Sequence, residues 1–212
     1  ASAPLPALPV ALNEVRATVT ADTLYLGGLD AAGKPVVLSL AHGAAKPEWT
    51  LGVGWPGTTA ATSLVAQTSG ILVTAPVAGG ENLLRWTADA GWQDKGPVPG
   101  KIVPGSARAI GQAHVIYLVA RDDGAPQMMT FQTITGSWAT LPDSATGGVI
   151  HVAALDDGLL WASRPEAGKG VAFESTQIQS SKLLLRWLDW IVIAVYLVAM
   201  LGIGLHFYLR EK

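Results

Sequence analysis

Apolar residues along the first 176 positions come in short runs broken by Gly, Pro and Asp. One much longer apolar run follows them. The short runs repeat. LYLGG at Leu24, ILVTA at Ile71, VIYLV at Val115 and LLWAS at Leu159 are spaced by 47, 44 and 44 residues. Each is followed, after a turn, by a second apolar segment: PVVLSL from Pro35, NLLRWT from Asn82, QMMTFQ from Gln127 and VAFEST from Val171. The turns between them (LDAAGK, PVAGGE, RDDGAP, RPEAGKG) are rich in Gly, Asp and Pro, so each pair reads as a hairpin. RATVTA from Arg16, TSLVAQ from Thr62, SARAIGQA from Ser106 and VIHVAAL from Val149 precede the hairpins. A tryptophan-led segment follows three of them, at Trp49, Trp92 and Trp138. Four short strands in about 45 residues is the size of a propeller blade. The pattern predicts an all-β, four-bladed propeller of four-stranded antiparallel sheets. The shared register, with tryptophans opening the outer strands as packing residues between blades, favours this over a generic sandwich.

The fourth unit has no tryptophan-led strand of its own. Ala3 to Pro9, APLPALP, resembles the outer-strand ends GPVPG and ATLPDS. It is expected to pair with Val171 to Thr176 and close the ring, because closure removes open sheet edges. The predicted organisation is a propeller over 1–179, a linker over 180–187, a membrane-crossing helix over 188–209 and a short end over 210–212.

Leu188 to Leu209 is 22 residues long and Asp189 is its single formal charge. At about 1.5 Å per residue it spans the roughly 30 Å hydrocarbon core of a bilayer. Asp189 reads as a helix-start residue satisfying free N–H groups. Aromatic residues flank both ends: Trp187 and Trp190, then Phe207 and Tyr208. Lys182 and Arg186 before the helix balance Arg210 and Lys212 after it, so charge alone sets no orientation. A lone anchor needs only apolarity. Tyr196, Gly202 and Gly204 therefore point to packing against other membrane helices as well as lipid.

Net charge is −2 with no Lys/Arg cluster outside the membrane flanks, which argues against a nucleic-acid partner. Cysteine is absent and the four histidines show no metal-ligand spacing, so no metal site is expected. Ala1-Ser2-Ala3 suits the region around a signal-peptide cleavage point. No nucleophile elbow, phosphate loop or dinucleotide loop is present in the sequence, and no catalytic residue or cofactor is assigned.

With the repeat laid out, the units resemble degenerate kelch repeats. The best local match is LYLGG, where Gly27 and Gly28 sit as the kelch double glycine does. Kelch-like propellers of this kind include bacterial sialic acid mutarotases. RWLDWIVIAVYLVAMLGIGLHFYLREK, from Arg186 to Lys212, resembles the first transmembrane helix of the sodium:solute symporter family. Some bacterial members carry a kelch-like domain ahead of their transporter helices. The resemblance implies a propeller on the periplasmic side of the bacterial inner membrane and partner helices in the same or another chain. It implies sodium as the coupling ion, bound by none of these residues.

A propeller binds ligands at the mouth of its central channel. The polar residues expected there are Glu14 and Arg16 at one inner-strand start, Arg108 at the analogous place two blades on, and His151. Together they suit a small sugar acid; pairing within the domain is the plainer alternative. The acidic turns at Asp122-Asp123 and Asp156-Asp157 read as hairpin turns. Two other functions stay open at this point: a membrane-anchored, mutarotase-like sugar enzyme, and a single-helix accessory or sensor subunit.

Overall fold

The computed structural model describes residues 4–44, 46–67, 70–120, 126–141, 149–155, 158–164, 170–177 and 187–211. The acidic turns at Asp122-Asp123 and Asp156-Asp157, and positions 180–186 of the expected linker, lie outside them. The chain forms two units, 1–177 and 178–212.

The first unit is four antiparallel sheets in chain order. The first holds β1 (Asn13–Val19), β2 (Thr23–Leu29), β3 (Pro35–Ala41) and β4 (Trp49–Gly52). The second holds β5 (Ser63–Gln67), β6 (Gly70–Val77), β7 (Gly80–Thr87) and β8 (Gly91–Pro97). The third holds β10 (Arg108–Ile110), β11 (His114–Ala120), β12 (Pro126–Gln132) and β13 (Ser137–Thr140), with β9 (Lys101–Ile102) as an added strand on β11. The fourth holds β14 (Val149–Leu155), β15 (Gly158–Ser163) and β16 (Ala172–Gln177). Each sheet is a meander, which short strands joined by tight turns produce. β1 packs beside β5, β5 beside β10 and β10 beside β14, so the first strand of every sheet is innermost. This is the blade arrangement of a propeller.

Register makes the repeat exact at the residue level. Gly27 pairs with Val37, Thr74 with Leu83, Leu118 with Met128 and Ala162 with Phe173, one pair per blade. Side chains alternate across each sheet, so every blade has a front facing the preceding blade and a back facing the next. Ile71, Val73 and Ala75 on the front of blade 2 pack with Val37, Tyr25 and Leu29 from the back of blade 1. Leu72 and Leu83 on its back pack with Val115, Tyr117 and Phe131 of blade 3. The two cores are thus the two sides of one blade.

The glycine doublet has a packing explanation. A Cβ at Gly27 would lie 3.2 Å from the buried Trp55 ring and 3.3 Å from Leu64. One at Gly28 would lie 2.8 Å from Asn13 O, where β1 bulges. Hydrogen bonds stitch neighbouring blades. Ala66 N donates to Thr18 Oγ1 (3.2 Å), Gln67 Nε2 to His114 O (2.7 Å) and Arg85 Nη1 to Thr133 O (3.0 Å).

The expected closing strand does not form. Among the described residues, positions 4–12 pair with no strand, and the fourth sheet stays at three strands. The segment lies against the first blade instead, where Trp49 Nε1 donates to Pro6 O at 3.0 Å. Proline supplies no N–H and holds φ fixed, so a segment with Pro4, Pro6 and Pro9 makes a poor ladder partner.

Among the described residues, the second unit is the helix α1 (Trp187–Arg210), with Asp189 in its first turn and Arg210 in its last, both favourable to the helix dipole. Its apolar span, Asp189–Arg210, has a mean hydropathy of 2.2 and is long and apolar enough to cross a membrane. Added methyl groups at Gly202 or Gly204 would meet open space, and Tyr196 is exposed.

Candidate functional site: the central cavity

The inner strands line an open-sided cavity of about 380 Å³. Its wall is built from residues 17–19, 64–66 and 107–109 with Ala153, so all four blades contribute. The lining is mostly Ala, Val and Leu, with Thr18 and Arg108 as the polar exceptions. Small side chains are what inner strands need where they converge.

Arg108 is therefore the one charged residue among those lining the cavity. It is half-buried, and its Nη1 donates to Ala107 O at 2.6 Å. Burial holds its guanidinium below its ordinary pKa; it remains a cation at neutral pH. A half-buried cation with a planar fork of donors, in a cavity whose other lining side chains are uncharged, is suited to a carboxylate.

The other three expected site residues do not line this cavity. Arg16 pairs with Gly27, and His151 with Ala162, at the same ladder position in blades 1 and 4. Ser63, pairing with Thr74, holds that position in blade 2. Arg108 pairs with Ile116, which is the ladder position of Thr18 opposite Tyr25, Val65 opposite Leu72 and Ala153 opposite Leu160. Arg108 is thus two residues further along its strand than the analogy with Arg16 predicts. The turn after β10 hides part of this in the sequence, with five residues between Ala109 and Val115 where β1 and β2 have four between Val19 and Leu24.

Arg16 serves the blade junction. Its Nε donates to Thr62 O at 3.1 Å and its Nη1 to Val15 O at 3.2 Å. Glu14 is exposed and sits in the bulge with a left-handed φ of 52°. His151 is exposed and lies beside the turn at Gly105. The tryptophans are structural, as expected. Trp138 packs on Tyr117 and Phe131 with ring centroids 5.2 and 5.1 Å away.

Sequence reasoning missed Glu81, which looked like part of a hairpin turn. It is buried where blades 2 and 3 meet. Burial raises its pKa, and hydrogen bonds from the Thr62 hydroxyl and the Ile102 backbone oppose the rise. Its backbone carbonyl accepts from Val98 N at 2.9 Å. Burial likewise pushes the Tyr117 phenol up. Neither group lines the cavity. Among the described residues no group of three or more His, Cys, Asp or Glu could hold a metal.

The sequence matches no protein-family model and no curated protein. In three dimensions it is similar to solved structures. One is YjhT, at 15% identity and a TM-score of 0.55, over 74% of this chain and 59% of that one. Another is TolB from Acinetobacter baumannii, at 14% identity and a TM-score of 0.54, over 81% of this chain and 42% of that one. The fold is a β-propeller. The chain spans less than two thirds of either protein's length, and at such identities the likeness shows the fold alone.

Proposed function

We propose that this chain is the extracytoplasmic propeller and first transmembrane helix of a sodium:solute symporter of the bacterial inner membrane. The propeller captures a small sugar acid, of which sialic acid is the leading candidate. The observation that carries the reading is Arg108 in the central cavity. A cavity of about 380 Å³ falls in the range of small-molecule sites. Its cation answers a carboxylate. The kelch-like repeat and the symporter-like helix give the direction: a ligand-binding module held at the membrane where its ligand is transported. Among the described residues lining the cavity, Arg108 is the one that carries a charge.

The helix gives a separate test. Tyr196, Gly202 and Gly204 would contact further membrane helices, since a buried tyrosine hydroxyl needs a partner and glycine admits close approach. The chain purified from membranes in mild detergent should bring a polytopic partner, or further helices of its own polypeptide, with it. Gly202→Leu should lower that association several-fold and leave the propeller folded. Wild-type recovery of the partner with Gly202→Leu would count against close packing at this glycine.

A further inference from the structure

The inner edge of blade 3 is broken in two. β9 pairs with β11 as Ile102 opposite Val119, and β10 pairs with the same strand as Arg108 opposite Ile116. Residues 103–107 cross the gap on this edge, whereas Tyr117 and Leu118 suffice to cross it on β11. The surplus chain folds out as a turn. Ser106 N donates to Val103 O at 3.1 Å across Pro104 and Gly105, and Gly105 has a left-handed φ of 77°. Proline followed by glycine at the two central positions suits a type II turn. Continued unbroken, the register of β9 would carry Arg108 past the start of β11 at His114. The turn draws Arg108 back to the rung that lines the cavity.

Leu118 is buried in the middle of β11, and its N–H and C=O face the break. A buried backbone N–H has to be paired. Ser106, itself buried, supplies the partner with its side chain. Leu118 N donates to Ser106 Oγ at 3.1 Å, and Ser106 Oγ donates to Leu118 O at 3.4 Å. Val103 N donates to the same carbonyl at 2.9 Å. Carried back two places, the register of β10 sets Ser106 opposite Leu118. That is the rung of Arg16 opposite Gly27, Ser63 opposite Thr74 and His151 opposite Ala162. In blade 3 the ladder therefore passes through a hydroxyl, because the backbone N–H of Ser106 is taken by the turn.

We infer that Ser106 is a positioning residue for Arg108, fixing the register in which the guanidinium reaches the cavity. β10 is three residues long and holds β11 by three rungs, Arg108 to Ile110. So short a ladder is weakly pinned. A slip of one rung would turn Arg108 to the other face of the sheet, because side chains alternate along a strand. The Ser106 hydroxyl ties the chain to Leu118 two residues before Arg108, so it resists the slip on the side where β10 has no further rung. Irregular inner strands of this kind re-aim side chains beside functional sites. The inference rests on the cavity being the sugar-acid site proposed above, but the register lock can be read without a ligand.

The test uses the full chain in detergent as wild type, Ser106→Ala, Ser106→Thr and, as the repeat-equivalent control, Ser63→Ala. Phenylglyoxal modification, followed at Arg108 by peptide mass spectrometry with Arg16 as the internal reference, reads the guanidinium directly. Arg108 should react several-fold faster in Ser106→Ala, and at the wild-type rate in Ser63→Ala and in Ser106→Thr, which keeps the hydroxyl. Calorimetry with N-acetylneuraminic acid and its methyl ester reads the consequence for binding. Ser106→Ala should lose most of the preference for the acid and keep its affinity for the ester, whereas a merely structural role would weaken both alike. A third measurement needs no variant: the Leu118 amide of wild type should exchange as slowly as the amides paired between β11 and β12. An unchanged Arg108 rate or an unchanged acid-to-ester ratio in folded Ser106→Ala would overturn the inference, as would fast exchange at Leu118. Faster modification of Arg108 in Ser106→Ala, with no binding of the acid by wild type, would overturn the capture reading and support the register lock.

Discussion

Trp92 Nε1 donates to Val53 O at 3.0 Å, and Trp49 Nε1 donates to Pro6 O at the same distance. The two bonds are repeat-equivalent. Trp49 pairs with Leu40 and Trp92 with Trp86, the same rung of blades 1 and 2. Each of these two tryptophans ties its blade to the segment leading into that blade. The residues around Pro6 thus occupy the place that Val53 holds one blade later, although they form no strand. Replacing Trp92 with Phe removes the bond and some ring area, and should cost about 1 kcal/mol. Trp49→Phe should cost a similar amount. Denaturant unfolding of each variant checks this, and an unchanged midpoint in both would contradict the tie.

Gly28 sits where β1 bulges toward the second strand, and an added Cβ would approach Asn13 O to 2.8 Å. Gly28→Ala should destabilise the propeller by about 1–3 kcal/mol, the usual range for forcing extra atoms into a packed site. Gly80→Ala is the control, since a Cβ there meets nothing within 4 Å. Equal midpoints for the two variants would show that the doublet is not needed for packing.

Glu81 gives the propeller a pH dependence. Its folded pKa is raised, chiefly by burial. The folded state therefore binds its proton more tightly than the unfolded state does. Stability from this group is fully present below the unfolded carboxylate value near 4.5 and is lost as pH rises through the folded pKa. Glu81→Gln cannot ionise. Its melting temperature, compared with wild type at each pH, should move in the variant's favour between pH 4 and pH 7. A constant difference across that range would mean that Glu81 titrates alike in both states.

The blades were legible because four units share one spacing, and spacing survives where motifs do not. Leu24, Ile71, Val115 and Leu159 keep their alignment in the observed register. The membrane-length helix was legible from apolarity alone, within a residue at each end. The closing strand was misread because APLPALP resembles an outer-strand end in composition. Its prolines, which make the resemblance, also prevent pairing. Among the site residues, Arg108 is on the cavity wall while Arg16, Glu14 and His151 are not. A turn one residue longer between β10 and β11 than between β1 and β2 shifts the count, so counting back from the repeat misplaces Arg108 relative to the axis. Glu81 was hidden because its burial depends on β9, a two-residue strand too short to predict.

The central claim is that Arg108 makes the propeller cavity a receptor for a sugar acid. The direct test is calorimetric titration of the full chain in detergent with N-acetylneuraminic acid, beside its methyl ester, using wild type and Arg108→Gln. The account predicts saturable binding of the acid by wild type. The ester and the variant should each bind at least about tenfold more weakly, the loss of one charge-assisted contact. Arg108→Gln should melt as wild type does. Undetectable binding of the acid by folded wild-type protein, or equal affinity in the variant, would contradict it.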